Sequence, residues 1–143
     1  MQTLSVVNLQ KKVKLDLAGI RTFAKKISGF VEEAIGRDFT VAFISDDRMT
    51  ELNELFRKKH TTTDVLSFPH EPDEFDLDPN NLGDIVISVD RAALQAKENN
   101  LTLDAEIKQL ILHGVLHLCG YDHVTDNGEM NARELELRNQ LGI

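Results

Sequence analysis

Three of the chain's five histidines fall in one short segment, His113-Gly114-Val115-Leu116-His117-Leu118-Cys119-Gly120-Tyr121-Asp122-His123. Residues four apart on a helix are neighbours on one face, so His113 and His117 can bind one ion from a single helix. Gly120 ends that helix, because glycine can take the left-handed conformation at a helix C-terminus. The chain can then double back, so that His123 reaches the same ion. Imidazole suits zinc, and three protein ligands leave a position open for water, as in a catalytic rather than a closed structural site. Cys119 is a candidate fourth ligand, but two residues after His117 it points to a different helix face. Ligand spacing combined with a helix-ending glycine outweighs a reading of three ordinary core histidines. His60 and His70 lack such spacing and read as loop histidines. The expectation is one Zn2+ ion on His113, His117 and His123, in a zinc-dependent hydrolase.

The spacing H-x3-H-x2-G-x2-H is similar to that of the metzincin proteases, with the glycine in place. One position departs. The metzincin pattern has Glu after the first His, where it serves as general base. Gly114 stands there in this chain and has no side chain, which counts against ordinary zinc-peptidase chemistry.

A second stretch runs Asn53-Glu54-Leu55-Phe56-Arg57-Lys58-Lys59 and then Thr61-Thr62-Thr63-Asp64-Val65-Leu66-Ser67-Phe68-Pro69. It offers a guanidinium and ammonium groups beside a Thr-rich turn. The forked donors of Arg match phosphate oxygens. Alternatively, Arg57 packs its stem and pairs with an acid such as Glu54. The residues alone leave these two readings even.

Elements must carry these groups. Thr3 to Asn8 reads as a short strand. Leu17, Ile20, Ala24, Ile27, Val31 and Ala34 recur at helical spacing, which predicts an amphipathic helix over 15–35. Residues 40–45 form a second strand, and Asp46-Asp47 opens a helix to about Lys59, with acids first and bases last as the helix dipole favours. Residues 64–68 form a third strand stopped by Pro69. Residues 70–82, with five acids, two prolines and two asparagines, form the one long loop. A fourth strand covers 84–88. Helices follow near 90–99, over 103–118 and over roughly 128–140. Val115, Leu116 and Leu118 occupy faces that the histidines leave free and should pack under the sheet. The pattern predicts an α/β (α+β) fold, with one mixed four-stranded sheet covered by about five helices and the zinc site at the end of a helix. Strand order is not legible.

The length of 143 residues fits one domain, and 41% apolar residues suffice for a core. There is no charged start followed by a long apolar run, so no signal peptide is expected, and no apolar stretch approaches a membrane span. With one cysteine an intrachain disulfide is excluded. These features point to the cytoplasm. The net charge of −8 argues against a chain coated in positive charge for nucleic acid. Charge is nevertheless uneven: residues 1–60 carry 11 Lys+Arg against 8 Asp+Glu, and residues 61–143 carry 5 against 16. The densest basic cluster is Arg57-Lys58-Lys59. Such a local patch can grip phosphate on an acidic protein, although charge alone favours a solvated helix end.

The 113–123 segment resembles the H-G-x-L-H-L-x-G-Y-D-H signature of the YbeY family of bacterial endoribonucleases, with Val115 in a variable slot. The resemblance extends to Asn53, Phe56-Arg57, Lys59, Thr63 to Pro69, Leu82 to Ser88, Met130 and Glu134. It covers most of the chain from about residue 40, and residues 1–39 match in layout only. It implies a single-strand-specific, metal-dependent endoribonuclease in ribosomal RNA maturation, at the 3′ end of the small-subunit RNA, and in ribosome quality control. It implies ribosomal RNA and the small ribosomal subunit or its assembly factors as partners. It also implies that Arg57 belongs to the functional site.

Zinc can polarise a phosphoryl oxygen, or lower the pKa of water to about 7 and so dispense with a strong base. Arg57, with Lys59 nearby, would hold the scissile phosphate and offset charge developing on it. Asp122 or Asp64 could orient a ligand histidine. Attack by the ribose 2′-OH is the alternative to attack by water. Two rival classes stand beside the nuclease: a zinc peptidase or amidase with a displaced base, and a non-catalytic ribosome-assembly factor with structural zinc.

Overall fold

A computed structural model describes residues 5–71, 80–122 and 124–143. Four strands, β1 (Ser5–Asn8), β2 (Asp38–Ile44), β3 (Val65–Pro69) and β4 (Asn81–Ser88), form one sheet in the order β1-β2-β4-β3. β1 is parallel to β2 and β2 to β4, whereas β3 runs antiparallel to β4 on the sheet edge. The helices are α1 (Leu17–Phe30), α2 (Asp46–Arg57), α3 (Val89–Glu98), α4 (Leu103–Leu118) and α5 (Glu129–Leu141). The parallel pairing of β1 and β2 requires a crossover, which α1 supplies.

Alternation along the strands sorts the core. Phe39, Val41 and Phe43 of β2 and Ile85 and Ile87 of β4 join α1 and α4 in the main cluster, to which α3 adds Val89 and Ala92 and α5 adds Met130 and Leu137. The opposite face is smaller: Ala42, Ile44, Leu66, Phe68 and Val86 pack on Met49 and Leu52 of α2. The two helices that directly follow a strand start on a hydroxyl cap, Ser45 for α2 and Ser88 for α3, Thr102 caps α4, and the Asp16 carboxylate caps α1.

Several boundaries differ from the sequence reading. The helix expected over 15–35 ends at Phe30, and a single 3-10 turn follows at Glu32–Ala34. Val31 leaves the helix in an extended conformation, and both Val31 and Ala34 still reach the core. β4 begins at Asn81 rather than at 84, because Asp38 of β2 pairs with Asn81 across a register shift. Gly83 sits at that irregularity with φ +131, and a Cβ there would stand 2.2 Å from the Phe68 carbonyl oxygen. Pro69 belongs to β3 rather than stopping it, since an edge strand tolerates a residue with no N–H to donate. Thr3 and Leu4 of the expected first strand, and positions 72–79 of the expected long loop, lie outside the described residues.

Candidate active site

α4 is the element on which the site is built. Its inner face buries Ile107, Ile111, Leu112, Val115 and Leu116 completely. Gly114 belongs to that face as well. A Cβ at position 114 would stand 2.8 Å from Ile85 Cγ2 and 3.0 Å from Ile85 Cδ1. The missing side chain is therefore the condition for α4 to lie close on β4. A glutamate there would have to displace Ile85 or lift the helix, which counts further against the general base of the metzincin pattern at this position.

With α4 seated this way, His113 and His117 emerge from it toward the edge strand β3. Their rings meet edge to face, centroids 4.7 Å apart, and their Nε2 atoms approach to 3.2 Å. On the far side of His113, its Nδ1 lies 2.6 Å from Glu134 Oε1 of α5. Burial by itself would raise the Glu134 carboxyl. The His113 hydrogen bond and the charges of His113, Arg138 and His117 outweigh it and hold the group below the usual carboxylate range. An ionised Glu134 can only accept, so Nδ1 of His113 is the donor, and in neutral His113 the lone pair is then on Nε2. Arg138 donates to the other oxygen, Glu134 Oε2, at 3.0 Å.

The two histidines line a cleft of about 790 Å³ together with Arg57, Asp64, Val65 to Ser67 and Pro69 of β3, and the turn Gly120-Tyr121-Asp122. Arg57 is the last residue of α2, and Lys58 ends the helix in the left-handed conformation (φ 57). Buried Asn53 donates to the Thr61 carbonyl at 2.8 Å, and Asp46 accepts from Thr62 and from Ser88. These bonds fix the connection from α2 to β3, and so Arg57 stands at the cleft. Glu54 does not pair with Arg57. It binds His60 instead, at 2.7 Å, which removes the ion-pair alternative for the guanidinium. Lys59 is exposed and is not among the cleft-lining residues.

The turn after α4 is held from two directions. Tyr121 donates to Glu33 Oε2 at 2.8 Å, and Arg133 of α5 grips the same carboxylate through Nε at 2.9 Å and Nη2 at 2.7 Å. The Arg133 hydrogen bonds are the leading cause, against burial and with help from Tyr121, that brings the Glu33 carboxyl down to about 2. Burial, reinforced by the charge of Glu33, pushes the Cys119 thiol up to about 11, so Cys119 is a neutral packing residue at pH 7.

His113, His117 and Arg57 thus share one cleft. The third expected ligand, His123, lies outside the described residues, and among the described residues no group of three potential ligands forms. Among the described residues, neither Asp64 nor Asp122 hydrogen-bonds a histidine. Asp64 Oδ1 accepts from the Val65 amide, and the Gln95 amide, turned so that its nitrogen faces the two carboxylates, donates to Asp64 Oδ2 and to buried Glu106. Asp122 Oδ1 accepts from the Val124 amide. Glu134 holds the orienting position because α5 packs beside α4, a tertiary contact with no trace in local spacing. The available signal was Glu134 itself, an acid four residues before Arg138 on a helix, beyond its match to the resembling family.

An imidazole pair and a guanidinium facing one open cleft define a hydrolase class of site on an α/β fold. A family model described as endoribonuclease YbeY matches residues 5–142. An endoribonuclease YbeY from Nautilia profundicola is 47% identical over 107 residues, which span 75% of this chain and 74% of the relative. One from Syntrophus aciditrophicus is 37% identical over 139 residues, 94% of this chain and 86% of the relative. The solution structure of TM1509 from Thermotoga maritima superposes with a TM-score of 0.61 at 27% identity, covering 93% of this chain and 85% of that one. The chain belongs to the endoribonuclease YbeY family.

Proposed function

We propose that residues 1–143 form one zinc-dependent endoribonuclease domain that cuts single-stranded RNA in the cytoplasm. Its substrate is ribosomal RNA, at the 3′ end of the small-subunit RNA. Its partners are the small ribosomal subunit or its assembly factors, in maturation and in ribosome quality control. No helix among the described residues is long and apolar enough to cross a membrane.

The observation that carries this reading is the 3.2 Å approach of two imidazole Nε2 atoms beside Arg57. Two nitrogens each about 2.0–2.1 Å from one tetrahedral ion stand about 3.3–3.4 Å apart. The pair therefore fits zinc, and Glu134 on Nδ1 of His113 is the acceptor that a ligating imidazole ordinarily has. His113, His117 and His123 would hold the ion. Zinc supplies, when bound, Lewis-acid polarisation of a phosphoryl oxygen and a nucleophilic water near neutral pH.

The chain's own residues do the remainder. Glu134 keeps the proton of His113 on Nδ1 and its lone pair in the cleft. Arg57 receives the scissile phosphate through its forked donors and offsets charge that develops in the transition state. Lys59, outside the cleft, meets a neighbouring phosphate of the same strand. The packing of Gly114 on Ile85 speaks against the peptidase reading, because that pattern's base would have to displace Ile85 or lift the helix.

Single-stranded and duplex RNA of one sequence are offered to the zinc-loaded chain and to its His113→Ala, His117→Ala and His123→Ala variants. Cleavage of the single strand by the wild type alone, with metal lost from each variant by elemental analysis, is the expected result. Full metal retention in all three variants overturns the site. Unchanged RNA after incubation with zinc-loaded wild type returns the chain to the assembly-factor class.

A further inference from the structure

Phe56 is 59% exposed, and its neighbour Leu55 is 71% exposed. Isolated exposed apolar residues are ordinary, but three observations set this one apart. It directly precedes Arg57, Lys58 and Lys59, all exposed, which form the densest cationic cluster of an acidic chain. The left-handed Lys58 ends α2 there, so the aromatic ring and the cations are presented together. Finally, the Phe56 ring is anchored. It packs edge to face on Phe68 of β3, centroids 5.1 Å apart at 70°, on the face of the sheet that α2 covers, and the next residue, Arg57, lines the cleft at the edge of that sheet.

From this we infer that Phe56, seated on Phe68 beside the basic cluster, is a stacking platform for a nucleobase of single-stranded RNA flanking the scissile phosphate. The inference rests on the RNA-cleaving reading of the cleft and adds to it a subsite and a source of strand selectivity. An aromatic ring flanked by cations suits a polymer that alternates π-faces with phosphates, and the cations complement its charge. A base within a duplex has both faces covered by its neighbours, so it cannot stack on Phe56 without leaving the helix. A single-stranded base has a free face. The platform therefore favours single strands with little regard to sequence.

Binding is read by fluorescence anisotropy of a short labelled single strand carrying 2′-O-methyl riboses, with the full zinc-loaded chain. Phe56→Ala and Phe56→Leu should each weaken binding about 5- to 150-fold, the loss of one base–aromatic stack. Phe56→Trp should bind at least as tightly as wild type. The matching duplex should bind all four proteins alike, and circular dichroism should be unchanged because the ring is mostly exposed. In cleavage assays Phe56→Ala should raise KM more than it lowers kcat. Wild-type affinity in Phe56→Leu overturns stacking, as does an equal loss on the duplex. Wild-type affinity in Phe56→Ala overturns the subsite while leaving the cleavage reading intact. Failure of the wild type to bind any single strand overturns both.

Discussion

The carboxylate of Glu134 accepts the Nδ1 proton of His113 at 2.6 Å, across the contact between α5 and α4. Glu134 is 8% exposed and Arg138 secures its second oxygen, so both the acceptor and its charge are fixed before any ligand arrives. Replacing Glu134 with Ala frees the imidazole to rotate and change tautomer. Zinc affinity, measured by competition with a chelator, should fall about 10- to 100-fold. Unchanged affinity would show that the packing of α4 alone orients the ring.

Leu116 is fully buried between the two histidine positions, and Gly114 is in contact with Ile85. Leu116→Ala should cost about 2–5 kcal/mol in denaturant unfolding. Gly114→Ala should cost about 1–3 kcal/mol, because a methyl group must displace a branched side chain or lift the helix. Gly114→Glu should unfold the chain rather than create a peptidase. A folded, stable Gly114→Glu protein would contradict the close packing of α4 on β4.

Glu33 links Tyr121 to Arg133, and its carboxyl lies at about 2 against an ordinary 4.5. A depressed carboxylate contributes stability that is complete above the unfolded-state value and is lost as pH falls through the folded-state value. The stability difference between wild type and Glu33→Gln should therefore be constant above about pH 5, shrink from there, and vanish near pH 2. Urea midpoints measured across that range test it, and a difference that grows on acidification would reverse the assignment.

Arg57 is exposed and, among the described residues, makes no side-chain hydrogen bond or ion pair, so stability should barely respond to its replacement. Cleavage should respond strongly. Arg57→Lys keeps the charge and loses the fork, so the rate should fall; Arg57→Glu should be worse. Raised salt should weaken RNA binding by wild type more than by Arg57→Glu, which contributes fewer phosphate contacts. Wild-type rates in a folded Arg57→Glu protein would remove this residue from the mechanism.

Local pattern by itself determined most of the elements and the histidine pair. The residues of α4 match the expected Leu103–Leu118, and Gly120, read as its terminator, directly follows the C-cap Cys119. The i,i+4 relation then placed His113 beside His117 with no tertiary knowledge. Hydrophobic runs gave four strands and five helices, but not the order β1-β2-β4-β3, since pairing depends on long-range register that composition does not encode. Only the tertiary structure decided the rest. It brought Arg57 to the histidine cleft through the bonds of Asn53 and Asp46, and it gave Glu134 the role expected of Asp64 or Asp122. It also turned Gly114 from a missing base into a packing requirement. In each case the deciding contact joins residues far apart in the chain, and sequence spacing carries information only about neighbours within a turn or a strand.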